Sequence, residues 1–188
     1  MRLFLGRLLP PLFIWALVVD AARADDALWS RLRDGGLVVM MRHATAPGTG
    51  DPPGFRLGDC ATQRNLSEGG RAEARRIGEA FRRERVPVAE VRSSEWCRCR
   101  ETATLAFGDY VPWPAINSFF ADRGTEPQQT AAARASMSGW RGRGNLVLVT
   151  HQVNITAVSG VYPQPGEIVV LQPAAPDRLE VLGRLRIP

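Results

Sequence analysis

The stretch Gly36-Leu37-Val38-Val39-Met40-Met41-Arg42-His43 decides the fold class of this chain. Its apolar run has no polar alternation, which predicts a strand buried on both faces, as in a parallel sheet. A second such run, Leu146-Val147-Leu148-Val149-Thr150, ends directly at His151. The chain contains only 2 histidines. Each of them therefore follows one of the two strongest predicted strands.

The rest of the chain alternates predicted helices with predicted strands. This alternation predicts an α/β fold, a three-layer sandwich with a mainly parallel central sheet flanked by helices. In such sheets the ligand site lies beyond the carboxyl ends of the strands. A long loop rich in Pro and Gly follows the first strand over residues 45–63. The expected helices cover residues 68–85, 95–107, 127–140 and 153–160, and the expected further strands cover 86–91, 110–117, 167–171 and 179–185.

Length and composition bound the class of protein. The chain has 188 residues, of which 45% are hydrophobic and 23% are charged. These values fit one globular domain and exclude a disordered tail, a collagen-like rod and a polytopic membrane protein. All 24 basic residues are Arg, the side chain that forks onto phosphate and carboxylate groups. The codon bias of a GC-rich genome gives the same excess of Arg over Lys. Only the positions of the arginines can therefore indicate a phosphate site.

The first 24 residues have the layout of a secretory signal peptide. Arg2 and Arg7 give the N-terminal end a positive charge. An apolar run covers residues 8–19, and Ala22-Arg23-Ala24 forms a small-x-small cleavage site. The run has about twelve residues, whereas a membrane-spanning helix needs roughly twenty. The alternatives are an uncleaved anchor or a short buried helix. We expect residues 1–24 to be the signal, residues 25–188 the exported domain, and the location to be the periplasm.

Export decides how the three cysteines, Cys60, Cys97 and Cys99, are interpreted. In an oxidising compartment a pair of them is expected to form a disulfide. Cys97 and Cys99 lie too close together on a predicted helix to pair with each other. The bridge therefore joins Cys60 to one of these two. A metal site is the competing interpretation, but the spacing matches no usual zinc site, and we predict no metal.

Arginines lie beside two of the predicted strand ends. Arg42 precedes His43, and Arg98 falls in the first turn of the helix that follows Ser93-Ser94. A helix N-terminus and a guanidinium can both face an anion. Two arginines, two histidines and a helix end predict a pocket for a phosphoryl dianion. The net charge of the chain is too mild to predict nucleic-acid binding.

Arg42-His43-Ala44 after an apolar strand resembles the signature of the histidine phosphatase superfamily, which includes the phosphoglycerate mutases. Four further stretches resemble the family's motifs in the right order: Asn65-Leu66-Ser67 through Ala74, Ser93-Ser94 through Arg98 to Ala103, Leu146 to His151, and Gly166-Glu167-Ile168. Together with the signature, these stretches cover about residues 36–171.

The resemblance implies a phosphatase that works through a phosphohistidine on His43. His43 would attack phosphorus as a neutral imidazole, and water would then release phosphate. Arg42 and Arg98 would favour the neutral imidazole by repelling a proton. These arginines and His151 would bind the equatorial oxygens of the phosphoryl group. The mechanism needs no cofactor, and the partner is a phosphorylated substrate.

The resemblance also implies a proton donor between the two histidine motifs and a pairing for the cysteines. Residues 117–126 contain Asp122, our first choice for the donor, and Glu126, the second. Cys99 occupies a position that is small and buried in relatives. We therefore expect Cys60 to pair with Cys97 and to tether the long loop to the Arg98 segment.

Export favours a phosphomonoesterase that acts on envelope material near the membrane, such as a lipopolysaccharide core sugar phosphate. The stretches between the motifs leave little room for a large cap domain, so we expect a shallow pocket. A phosphohistidine protein phosphatase fits by size, but its substrates are cytosolic. A phosphate-binding module without turnover is a second class of function. A structural or interaction protein that shares only the fold is a third.

Overall fold

A computed structural model of the chain describes residues 25–175 and 177–188. The predicted signal segment, residues 1–24, lies outside the described residues. Across the part of the chain that is described, no helix is both long and apolar enough to cross a membrane. Within the described residues, eleven α-helices and strands follow one another: α1 (25–34), β1 (Val38–Arg42), α2 (Glu68–Arg83), β2 (Val88–Ser93), α3 (Cys97–Phe107), β3 (Val111–Pro112), α4 (Glu126–Ser138), β4 (Asn145–Thr150), α5 (Gln152–Ser159), β5 (Ile168–Ala175) and β6 (Arg178–Leu185).

The six strands form one sheet in the order β3-β2-β4-β1-β5-β6. β3, β2, β4 and β1 are parallel to one another, and β5 and β6 form antiparallel pairs beside β1. Helices α1, α2 and α3 pack on one face of this sheet, and α4 and α5 pack on the other. This architecture confirms the predicted three-layer α/β sandwich with a mainly parallel sheet.

The two central strands are buried on both faces, as their unbroken apolar sequences predict. Val39 and Met41 of β1 enter the core beneath α2 and α3. Val38 and Met40 enter the core beneath α4 and α5. Successive side chains of a strand point to opposite faces, so one short run contributes to both cores.

The differences from the sequence prediction are local. The predicted strand over 110–117 is only the two-residue β3, because Pro114 starts a 3-10 turn at Pro114–Ile116. α2 ends at Arg83, before the positive φ of Arg85, and not at Arg85 as predicted. α1 was not predicted, although Leu28 and Leu32 are spaced one helical turn apart and pack into the core.

The N-terminus of α2 rests on the chain just after His43. Ser67 caps this helix by accepting a hydrogen bond from the Gly70 N–H at 3.0 Å. Gly70 faces the Thr45 backbone so closely that a Cβ at position 70 would collide with the Thr45 carbonyl. From α3, the Thr102 hydroxyl accepts from the Ala44 N–H at 3.1 Å. Two helices therefore fix the backbone that follows the first histidine.

Candidate active site

The register of the sheet brings the two histidines together. β1 and β4 are parallel neighbours, and Arg42 is paired with Thr150. His43 and His151 therefore directly follow the two strands and lie at the same edge of the sheet. The His43 N–H donates to the Thr150 carbonyl at 2.9 Å. The ring centroids lie 5.5 Å apart, with an angle of 66° between the ring planes.

His43 is oriented by its own backbone neighbour. Its Nδ1 lies 2.8 Å from the Ala44 carbonyl oxygen, which can only accept a hydrogen bond. Nδ1 therefore carries the proton, and in the neutral ring Nε2 keeps its lone pair. The side chain is only 2% exposed. Burial first, and then the positive charge of Arg98, hold the pKa of His43 well below its ordinary value of 6.5.

His151 is contacted by side chains of the β2–α3 connection and of α3. Its Nε2 lies 2.8 Å from the Ser94 hydroxyl and 3.4 Å from the Cys99 thiol. The Ser94 hydroxyl also lies 3.1 Å from the Asn117 side-chain carbonyl oxygen. Burial, followed by the charge of Arg98, also holds the pKa of His151 well below its ordinary value. Burial raises the pKa of Cys99 to about 12, so this thiol stays neutral.

Three arginines surround the imidazoles. Arg42, Arg64 and Arg98 line one pocket of about 600 Å³ together with both histidines. Arg42 donates to the Pro163 carbonyl at 2.9 Å, and Arg64 donates to the Gly50 carbonyl at 2.7 Å. The predicted phosphate ligands Arg42, His43, Arg98 and His151 therefore share one site.

Sequence reasoning missed Arg64. This residue directly precedes the Asn65-Leu66-Ser67 stretch, and nothing local distinguishes it from the other arginines of the chain. The long loop that precedes α2 folds back and places its guanidinium in the pocket. Only that loop conformation identifies Arg64 as a site residue.

Asp51 is the only carboxylate among the described residues that line this pocket. Its two oxygens accept from Arg98 Nη1 at 2.7 Å and Nη2 at 3.3 Å. They also accept from the Trp96 indole at 3.0 Å and the Arg64 backbone N–H at 3.2 Å. Burial alone would raise the pKa of Asp51, but the hydrogen bond and charge of Arg98 bring it below its usual value. No local pattern in the sequence marks Asp51 as a site residue.

The structure does not bring the predicted proton donors into the pocket. The Asp122 carboxylate accepts from the Gly124 N–H at 2.8 Å and caps the 3-10 turn Arg123–Thr125. Asp122 is exposed and is not among the residues that line the pocket. Glu126 forms an ion pair with Arg123 at 2.7 Å, also outside the pocket. Local sequence context favoured these two residues, and their position in the fold does not support the role.

Cys60 and Cys97 form a disulfide, with their Cα atoms 5.6 Å apart. This is the pairing that the resemblance implied, and Cys99 is the free, buried thiol. The bridge ties the loop before α2 to the first residue of α3, beside Arg98. It therefore joins two of the segments that supply pocket residues.

The charge of Arg98 gives a testable titration. We expect Arg98→Gln to raise the pKa of both imidazoles, because it removes the positive charge that acts most strongly on them. It also leaves Asp51 without its cation, which acts in the same direction. A histidine NMR titration measures both values. Arg64→Gln is the matched control and should produce a smaller rise, because Arg64 acts more weakly on both rings. Unchanged values in Arg98→Gln would contradict this electrostatic account.

Solved structures with this fold are known. A phosphoglycerate mutase from Thermus thermophilus is 21% identical over 81% of this chain and 99% of its own, with a TM-score of 0.59. The protein histidine phosphatase SixA, complexed with tungstate, is 13% identical over 80% of this chain and 96% of its own, with a TM-score of 0.56.

A mycobacterial glucosyl-3-phosphoglycerate phosphatase in complex with VO3 is 19% identical over 72% of this chain and 92% of its own, with a TM-score of 0.52. No family model matches the chain, and no curated protein matches it. At these identities the likeness shows the fold alone.

Proposed function

From the premise that this chain has the phosphoglycerate mutase-like fold of the histidine phosphatase superfamily, we propose that it is a phosphatase that hydrolyses a phosphomonoester through a phosphohistidine on His43. The observation that carries the proposal is the pair of buried imidazoles, with ring centroids 5.5 Å apart, in a pocket with three arginines. Rings this close can both touch one phosphoryl group.

The reaction proceeds in two displacements. The Nε2 lone pair of His43 attacks phosphorus, the P–O bond to the leaving group breaks, and the leaving oxygen takes up a proton. Water then attacks the phosphohistidine, the P–N bond breaks, and inorganic phosphate leaves. The hydrogen bond from Nδ1 to Ala44 fixes the tautomer that the first step needs. The depressed pKa keeps that imidazole neutral at pH 7.

The arginines and His151 bind the oxygens of the phosphoryl group, where charge collects in the transition state. The Nε–H groups of Arg42 and Arg98 are buried and have no acceptor among the described residues. Buried donors without acceptors are uncommon in native proteins, and phosphoryl oxygens are acceptors of the kind that these donors lack. Two of the neighbouring structures hold tungstate or VO3, which are oxyanions.

For the proton donor we propose Asp51, which lies in the pocket. When a phosphoryl dianion takes Arg98, Asp51 loses its cation and faces a negative charge, and both changes favour its protonated form. The acid then donates its proton to the leaving oxygen. In the second displacement the carboxylate accepts a proton from the attacking water, and that proton returns to solvent as phosphate leaves.

Leaving groups of different basicity test this assignment against Asp122. We expect Asp51→Asn to slow hydrolysis of an alkyl phosphate by about 10²–10⁴-fold, and of nitrophenyl phosphate much less, because nitrophenolate leaves without a proton. Steady-state rates on both substrates give the ratio. Asp122→Ala is the paired variant and should leave the ratio unchanged. Equal losses on both substrates in Asp51→Asn would mean that Asp51 only positions Arg98.

The finer proposal places the enzyme in the periplasm with an envelope phosphate, such as a lipopolysaccharide core sugar phosphate, as its substrate. The signal-like sequence of residues 1–24 and the Cys60–Cys97 disulfide support export. The second candidate is a phosphate-binding module without turnover. The observation that favours it is that Asp51, the only carboxylate among the described residues that line the pocket, is held by Arg98 as a carboxylate and not as an acid.

Turnover of nitrophenyl phosphate together with vanadate binding separates the two candidates. A phosphatase hydrolyses the ester and is inhibited by vanadate. A binding module takes up vanadate, and this uptake depends on His43 and Arg98, but it releases no phosphate. A protein that does neither would overturn both proposals.

A further inference from the structure

An aromatic wall extends outward from the second histidine. Trp96 meets the His151 ring edge to face, with centroids 5.4 Å apart and a 78° angle between the planes. Phe55, from the long loop, stacks on Trp96 at 5.2 Å and 16°. The Trp96 indole donates to Asp51, which fixes its orientation. One side of the pocket is therefore a continuous aromatic surface that begins at the His151 imidazole.

Two further rings, Phe120 and Tyr162, line the same pocket. Both are unusually open for large apolar side chains, with exposed fractions of 51% and 61%. Within residues 25–175 and 177–188, five large hydrophobic side chains are classed as exposed, and two of them are these rings. Exposed apolar area costs free energy in water, and rings gathered at a pocket mouth are typical of a binding site.

Hydroxyl groups lie among the rings. The side-chain oxygens of Thr49 and Tyr162 make no hydrogen bond to any residue that the structure describes, and both residues line the pocket. The rim therefore presents ring faces together with free hydroxyls. Such a surface suits a flat ring that has an apolar face and polar edges, and it gives a short linear alcohol little to contact.

We infer that Phe55, Trp96, Phe120 and Tyr162 form a subsite for the leaving group, and that the substrate is a phosphomonoester of a ring-bearing alcohol. This inference rests on the proposed phosphatase activity. The phosphoryl group occupies the histidine–arginine end of the pocket, and the ring lies against the aromatic residues. Aryl and sugar phosphates share this chemistry, and the substrates of the test distinguish them.

The test compares kcat/KM for three substrates of the full chain: a hexose 6-phosphate, phenyl phosphate and glycerol 3-phosphate. The hexose and glycerol esters are both primary alkyl phosphates, so their ratio isolates the contribution of the ring. We expect the hexose ester to be preferred over the glycerol ester by about tenfold or more, the scale of one or two aromatic contacts. The relative rates of the hexose and phenyl esters identify a sugar or an aryl ring.

In Phe120→Ala/Tyr162→Ala the hexose-to-glycerol ratio should fall by about tenfold, which corresponds to the free energy of one or two aromatic contacts. Tyr162→Phe separates the hydroxyl from the ring. Val111→Ala removes an exposed apolar side chain on β3, outside this pocket, and should leave the ratio unchanged.

The failures are distinguishable. If His43-dependent hydrolysis shows no preference for ring substrates, or if the double variant keeps the preference, the aromatic subsite is overturned and the phosphatase proposal stands. If nitrophenyl phosphate is hydrolysed but none of the three esters is, only the aromatic subsite is overturned. If none of the three esters and no nitrophenyl phosphate is hydrolysed, both proposals are overturned.

Discussion

We expect His43→Ala to lower kcat for nitrophenyl phosphate by about 10⁴-fold or more, the scale seen when a nucleophile is removed from an enzyme that works by covalent catalysis. The physical reason is that His43 is the assigned nucleophile, and the other groups of the pocket are assigned only to bind the phosphoryl group. Arg42, Arg98 and His151 would still stabilise charge, so a small residual rate is expected.

Trapping the intermediate identifies the role of His43 directly. The enzyme is mixed with labelled phosphomonoester and quenched in alkali, in which phosphohistidine survives. The wild-type protein should carry label on His43, and His43→Ala should carry none. His151→Ala is the matched control because it removes the partner imidazole from the same pocket. It should turn over more slowly but still carry label. Label on His151 instead of His43 would reverse the assigned roles, and a fully active His43→Ala would refute the mechanism.

The second large effect concerns the disulfide. We expect Cys60→Ala/Cys97→Ala to lower the free energy of unfolding by about 4 kcal/mol, which is the chain-entropy value for a bridge across this loop. The two cysteines are 37 positions apart. Without the bridge, the unfolded chain therefore gains the conformational entropy that closing this loop removes. For a domain of this size such a loss lowers the melting temperature by roughly 8–16 °C.

Thermal unfolding with and without a reductant measures this contribution. The reductant should bring the wild-type protein to the melting temperature of the double variant and leave the double variant unchanged. Cys99→Ala is the control, since it removes the third cysteine without touching the bridge, and it should remain sensitive to the reductant. A wild-type melting temperature that ignores the reductant would contradict a stabilising role for the bridge.

The sheet edge and its histidines were predictable because their signals are local. The apolar runs that form β1 and β4 are buried on both faces, and a histidine directly follows each strand. Two parallel neighbours place the residues that follow them at one edge. The sequence could therefore identify His43 and His151 without knowing the register, which the structure gives as Arg42 beside Thr150.

The proton donor, unlike the two histidines, has no local signal in the sequence. The position of Asp122 between the two histidine motifs favours it as the donor, but its carboxylate caps a 3-10 turn outside the pocket. Asp51 sits in a loop of Pro and Gly residues that shows no periodicity. It enters the pocket through contacts with Trp96 and Arg98, which are 45 and 47 positions away in the chain.

The sequence by itself determined the fold class, the strand ends that carry the two imidazoles, and two of the three arginines around them. Hydrophobic patterning over a few residues sets which segments are buried strands, so that information is readable in the chain. Only the tertiary structure decided that Asp51 and Arg64 enter the pocket and that Phe120 and Tyr162 frame its mouth. Loop conformations depend on contacts between residues far apart in sequence, and no local pattern encodes those contacts.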